Sequence, residues 1–106
     1  MSEFTVLLVD DDADVRDMIA ALLSKSYYLL LAASGGEAVQ IVADWQIDLL
    51  LTDILMPSMN GFDLADRAVS MRPGLRVLYM TGYFDPTGDA ARARHGKLIT
   101  KPFKPV

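Results

Sequence analysis

FTVLLVDDD, residues Phe4 to Asp12, is an apolar run that stops abruptly at three carboxylates. An apolar stretch this short and unbroken reads as a strand, Phe4–Val9, buried on both faces. The same device recurs downstream. Ile47–Thr52 (IDLLLT) is a second run that ends in an aspartate, Asp53. Tyr28–Ala33, Arg76–Thr81 (RVLYMT) and a short Leu98–Thr100 complete five strands. Between them lie helical patterns. Ala13–Ser24 carries Val15, Met18, Ile19, Leu22 and Leu23 at helical spacing, with Asp11 or Asp12 as N-cap. Ser34-Gly-Gly-Glu37 is a capping box opening a helix to about Trp45. Asn60-Gly61 turns the chain into a helix that Pro73-Gly74 stops after Arg72. Strands of this kind alternating with helices predict an open, doubly wound α/β fold with a parallel sheet.

The charge distribution is uneven. Residues 1–66 hold 12 acids against only Arg16 and Lys25, whereas residues 67–106 hold 8 bases against Asp85 and Asp89, so the net −4 conceals an acidic and a basic segment. The length of 106 residues and a 52% hydrophobic content suit one domain with a real core, 1–106, and argue against disorder. There is no cysteine, which excludes disulfide scaffolds and thiolate zinc sites. No apolar run reaches the roughly 18 residues of a membrane span. The start has no basic n-region, so a cytoplasmic location without membrane contact is expected. An acidic chain is a poor stand-alone nucleic-acid binder.

Ligands of open α/β sheets bind beyond the carboxyl ends of the strands, near the switch in strand order. Here those ends carry Asp10 and Asp11, Asp53, Thr81 and Lys101. Converging carboxylates repel one another, and a hard divalent cation, Mg²⁺ or Mn²⁺, removes the conflict through all-oxygen ligation. A metal, an ammonium and a hydroxyl together describe a phosphoryl clamp. A carboxylate can itself be the nucleophile. The pattern therefore points to a Mg²⁺-dependent phosphoryl site on an aspartate.

The segments VLLVDDD (6–12), LLLTDILMPSMNGFDL (49–64), VLYMTG (77–82) and ITKPF (99–103) resemble the receiver domains of two-component response regulators. The combination of D-x-x-M-P-x-M-x-G with K-P-F carries the specificity. The resemblance implies a flavodoxin-like sheet in the order 2-1-3-4-5. It implies Asp53 as the phosphoacceptor for a histidine kinase's phosphohistidine. Asp11, Asp53 and the Leu55 backbone carbonyl would ligate Mg²⁺, with Asp10 acting through water. Lys101 and the Thr81 hydroxyl would bind phosphoryl oxygens, and Lys101-Pro102 would be cis. The implied partners are a sensor histidine kinase or phosphotransfer protein upstream, and a protein partner or attached domain downstream.

Three departures from the family pattern stand out. Leu98 replaces the aromatic residue that often sits three positions before the lysine. Leu55 and Tyr83 flank the expected path of hydrolytic water, which predicts slow autodephosphorylation. The Gly- and Pro-punctuated stretch Phe84–Gly96 predicts a stunted fourth helix, a feature of receivers attached to hybrid sensor kinases. The chain also ends soon after Lys101, without the family's final helix and without an output domain. An exposed apolar face, covered by a partner or in a homodimer, is then expected.

Plainer roles suit other residues. Asp12, Asp14 and Asp17 read as cap and solvent-face acids, Met56, Met59, Met71 and Met80 as packing, and Trp45 as a helix-end contact. His95 reads as a surface residue, and the bases from Arg92 to Lys104 as a solvated face. Two other functions compete. Asp10-x-Asp12 resembles the motif of haloacid-dehalogenase-type phosphatases, but leaves Asp53 unexplained. An inert receiver-like interaction module would not need Asp10, Asp11, Asp53, Thr81 and Lys101 together. A calcium loop fails because Val15 and Ala21 occupy the positions requiring Gly and Glu, and no Gly-rich nucleotide loop exists.

Overall fold

The structure, a computed structural model, describes residues 4–82 and 92–100. Among these residues, strands β1 (Thr5–Val9), β2 (Tyr28–Ala32), β3 (Leu49–Asp53), β4 (Arg76–Thr81) and β5 (Gly96–Thr100) form one sheet. Helices α1 (Ala13–Leu23), α2 (Gly35–Asp44) and α3 (Gly61–Met71) alternate with them. All pairings are parallel, in the order β2-β1-β3-β4-β5. The doubly wound sheet expected from the apolar runs is therefore present. Its order reverses at β1, so the crevice lies beyond the carboxyl ends of β1 and β3.

Strand alternation divides the core. Leu7, Val9, Leu50, Val77 and Tyr79 face α2 and α3, packing with Val42, Leu64, Ala65 and Ala68. Val6, Leu8, Leu51 and Met80 face α1 through Ile19. Each such side chain contributes about 1.5–3 kcal/mol when fully buried. Asp12 caps α1 and Ser34 caps α2, both as expected from the sequence. Glu37 reaches back one residue beyond the N-cap and accepts the Ala33 N–H at 2.6 Å. Arg72 closes the other end of α2, donating from Nε to the Val42 carbonyl and from Nη2 to that of Ala43. Trp45 is the C-cap residue of α2 and stays half exposed.

Only α1 covers its side of the sheet among the described residues. A groove of about 750 Å³ runs beside it, lined by Ile19, Leu23, Leu51, Leu78, Met80 and Ile99.

Four local readings need correction. β3 runs from Leu49 to Asp53 rather than from Ile47, so Asp53 is held within the ladder. β5 starts at Gly96, not Leu98. A Cβ on Gly96 would lie 1.6 Å from the Val77 carbonyl oxygen, so this glycine admits the close approach of β5 rather than merely breaking a helix. His95 is not a free surface residue. Its Nε2 lies 2.8 Å from Asp66 Oδ1 on α3, and Arg94 donates to Asp66 Oδ2 at 2.9 Å. The His95 backbone N–H donates to the Tyr79 hydroxyl at 3.3 Å. Arg92 is not simply solvated either, because its guanidinium stacks over Phe62 at 4.5 Å. The bulk of the expected fourth helix, residues 83–91, lies outside the described residues.

The Asp66 clamp has a pH signature. Burial acts upward on its carboxyl, and the hydrogen bonds from His95 and Arg94 outweigh it, holding the group below its ordinary value. A carboxyl depressed by folding adds stability above the unfolded carboxylate range and loses it as pH falls through the folded value. Urea denaturation of Asp66→Asn should show a deficit of about 0.5 kcal/mol near neutral pH, modest because the pair is part-exposed. The deficit should shrink as pH drops below about 4. A deficit that does not vary with pH would refute this account.

Candidate functional site

The register places the acids opposite one another. Val9 of β1 pairs with Thr52 of β3, so Asp10 and Asp53 each sit one step beyond that pair. Asp53 in turn pairs with Met80, the residue before Thr81. The carboxylate oxygens of Asp10, Asp11 and Asp53 come within 4.8 Å of one another. Asp10 is fully buried and Asp53 nearly so, at 6% exposure, while Asp11 is open to solvent. A pocket with two dry acids and one wet one is accessible from one side.

The backbone around Asp10 is heavily tied. Its N–H donates to the Ala32 carbonyl at 3.1 Å, extending the β1–β2 ladder by one bond. Its Oδ1 accepts the Asp12 N–H at 3.0 Å. Its carbonyl accepts Arg16 Nη1 at 2.7 Å. Asp12 is exposed and spent as the α1 cap, accepting from the Asp14 and Val15 N–H groups. This is the cap role expected for it, and it removes the acid that a dehalogenase-type phosphatase would need in the site.

Asp53 is held from the other side. The Thr52 hydroxyl donates to the Asp53 carbonyl at 2.9 Å, and the Ile54 N–H donates to the Met80 carbonyl at 3.0 Å. The chain then makes a tight turn in which the Met59 N–H donates to the Pro57 carbonyl at 2.8 Å, with Ser58 at φ 70°. That geometry is a γ-turn. Asn60 caps α3 through the Asp63 N–H. Gly61 explains the last glycine of the D-x-x-M-P-x-M-x-G pattern. A Cβ there would lie 2.2 Å from the Asp53 carbonyl oxygen, so only glycine lets α3 start against the strand end that presents Asp53.

Thr81 is buried at the end of β4, directly across from Thr100 of β5. Leu55 is 66% exposed, two residues beyond Asp53. Leu98 pairs with Tyr79 and packs on the α2–α3 side of the core. Lys101, the Lys101-Pro102 bond and Tyr83 lie outside the described residues, as does the final stretch 101–106. The structure thus brings together Asp10, Asp11 and Asp53 and puts Thr81 on the adjoining strand end. Sequence reasoning missed Arg16. The available signal was a single base inside the run of five acids from Asp10 to Asp17.

The donor set is chemically uniform: hard carboxylate oxygens, no nitrogen or sulfur. Such a set suits Mg²⁺, whose charge would offset the repulsion of the three acids. Among the described residues no helix is long and apolar enough to cross a membrane.

The model of the response regulator receiver domain matches residues 6–106. The chain is 36% identical over 103 residues to the response regulator receiver protein CpdR of Brucella abortus (strain 2308), covering 92% of this chain and 84% of that protein. It is 32% identical over 104 residues to the chemotaxis protein CheY of Thermotoga maritima, covering 94% and 87%. Among solved structures, the receiver domain from the hybrid histidine kinase CckA superposes with a TM-score of 0.77 at 32% identity, covering 94% of this chain and 87% of that one. Other curated relatives are much longer, and the chain spans 22% of one and 11% of another.

The close contact at Gly61 is testable. Gly61→Ala forces α3 away from the end of β3, and we expect a loss of about 2 kcal/mol in urea denaturation together with weaker Mg²⁺ binding. Gly36→Ala, where a Cβ meets nothing within 4 Å, serves as the contrast. It should gain about 0.5–1 kcal/mol from helix propensity and leave Mg²⁺ binding intact. Equal behaviour of the two variants would overturn the role assigned to Gly61.

Proposed function

The chain belongs to the response regulator receiver domain family, and from that premise we propose that Asp53 is the phosphoacceptor of this two-component signalling domain. The observation that carries the reading is the convergence of Asp10, Asp11 and Asp53 at one switch point, with Thr81 on the next strand. Asp10, Asp11 and Asp53 would hold Mg²⁺, aided by the Leu55 carbonyl, and Mn²⁺ suits the same oxygens. When bound, the metal supplies charge neutralisation for the phosphoryl oxygens.

The chain's own residues do the rest. An Asp53 carboxylate oxygen attacks the phosphorus of a phosphohistidine. The O–P bond forms as the P–N bond breaks, and the imidazole nitrogen leaves with the electron pair and takes up a proton. The sheet positions Asp53 for this attack, which is most of what phosphoryl transfer requires of a protein. Lys101 follows Thr100, the partner of Thr81 across β4 and β5, and pairs with a phosphoryl oxygen. The Thr81 hydroxyl donates to another. That new bond draws Thr81 inward and biases the connection it begins, changing a protein-contact surface. The domain is thus a signalling phosphoacceptor rather than a turnover enzyme, and the exposed Leu55 keeps hydrolysis of the acyl phosphate slow.

A sensor histidine kinase or phosphotransfer protein donates the group, and a downstream protein or attached domain reads the result. The domain makes no direct contact with nucleic acid or membrane, and it works in the cytoplasm. A second copy of the chain covers the apolar groove beside α1. Both copies present the same strip, which runs out to Ile99 on edge strand β5, and a two-fold pairing buries it from both sides.

Two measurements test this reading. Incubation with acetyl phosphate or phosphoramidate and Mg²⁺, followed by intact mass, should show one phosphoryl adduct on wild type and none on Asp53→Ala. No adduct on wild type, or one that survives the substitution, sinks the assignment. Small-angle scattering should show a dimer that Ile99→Asp converts to monomer, and a monomeric wild type rules out the second copy.

A further inference from the structure

Arg16 is placed where an ion pair with a neighbouring acid would be expected. It lies among Asp10, Asp11, Asp12, Asp14 and Asp17 and is one of two strong bases in residues 1–66. Among the described residues, no ion pair joins it to any of these carboxylates. Its Nη1 instead donates to the main-chain carbonyl of Asp10 at 2.7 Å, short for a bond to a neutral acceptor. Helical side chains lean toward the helix N-terminus, which brings a residue four beyond the Asp12 cap back over the β1–α1 turn. The Arg16 N–H itself donates to the Asp12 carbonyl at 2.9 Å, fixing the base of that side chain in the first turn.

We propose that Arg16 is a positioning residue for the metal site. By clamping the Asp10 carbonyl it sets the direction in which the chain leaves β1, and therefore where the Asp10 and Asp11 carboxylates stand relative to Asp53. The proposal rests on the reading of those three acids as the Mg²⁺-holding set. It is distinct from a simple counter-charge. A counter-charge competes with the cation, so removing it tightens Mg²⁺ binding. A positioning group holds the ligands in place, so removing it loosens binding.

The opposite signs make the experiment decisive. Mg²⁺ is titrated by calorimetry into wild type, Arg16→Met and Arg16→Lys. Amide hydrogen exchange at Asp10 and Asp12, whose N–H groups donate to the Ala32 carbonyl and to Asp10 Oδ1, is measured on the metal-free proteins alongside. Arg16→Met should weaken Mg²⁺ binding about tenfold, the usual cost of losing a group that orients a ligand. It should also speed exchange at both amides. Arg16→Lys keeps a charged donor of similar reach, so it should recover most of the affinity. Tighter binding by Arg16→Met identifies a counter-charge and overturns the proposal. So does unchanged affinity in a merely less stable protein. Wild type failing to take up Mg²⁺ would instead sink the metal reading, while unchanged exchange in Arg16→Met would still sink the clamp.

Discussion

Three carboxylates whose oxygens lie within 4.8 Å of one another are the constraint on which the rest of the structure depends. Like charges this close repel, and two of them stand in a dry environment where the repulsion is least screened. A loop would relax by swinging them apart. The chain prevents this by growing the acids directly out of the two central strands, whose Leu7, Leu8, Val9 and Leu50 are fully buried. The backbone beyond the strand ends is equally committed. The N–H and carbonyl of Asp10 go to Ala32 and Arg16, the Ile54 N–H to Met80, and the Gly61 N–H to the Ile54 carbonyl at 2.8 Å. The sheet imposes the cluster, and the cluster is therefore organised before a cation arrives. That is what a phosphoryl-transfer site needs, because reorganisation during reaction is the cost it must avoid.

How much of this was legible in the sequence follows from how local each cause is. Strands announce themselves by unbroken apolar runs, and caps by Asp11 or Asp12 and by Ser34 standing just before helical patterns. The acid cluster was readable because parallel strands must end on the same rim, so Asp10, Asp11, Asp53 and Thr81 had nowhere else to converge. What escaped were features whose cause lies far along the chain. Gly96 begins β5 because the Val77 carbonyl is in the way of any Cβ, and nothing near residue 96 encodes that neighbour. His95 looked solvated among bases, and its partner Asp66 lies 29 positions away on α3. Arg16 could be singled out as a lone base among acids. That it binds a carbonyl rather than a carboxylate is a matter of geometry that composition does not carry.

The two faces of the sheet are used differently. The α2–α3 side holds the larger core and also the contacts that reach the site. Met59 sits so close to Gly35 that a Cβ on that glycine would come within 2.8 Å of it, locking the loop after Asp53 onto the start of α2. The α1 side has the smaller core, and its groove at β4 and β5 leaves Ile99 partly exposed. Scaffold rigidity is thus concentrated on the α2–α3 side, while among the described residues the α1 side carries the free apolar surface and reaches the site through Arg16 at the Asp10 carbonyl.

Tyr79 and Thr81 stand on the same face of β4, two residues apart. One end of this short row meets the acid cluster through the pairing of Asp53 with Met80. The other end is the Tyr79 hydroxyl, which accepts the His95 N–H, while the His95 ring is held by Asp66. Tyr79 also packs its ring against Phe62, at 5.4 Å between centroids, and Arg92 stacks over the Phe62 ring. The entry to β5 is therefore anchored on α3 and on β4 at once, by contacts that are mostly part-exposed and individually weak. Weak anchoring is suited to a signalling element. Under the proposed switch, a new hydrogen bond that draws Thr81 inward would change an energy of the same order as each of these contacts. A strongly buried clamp at Asp66 would instead hold the segment in place whatever happened at Asp53.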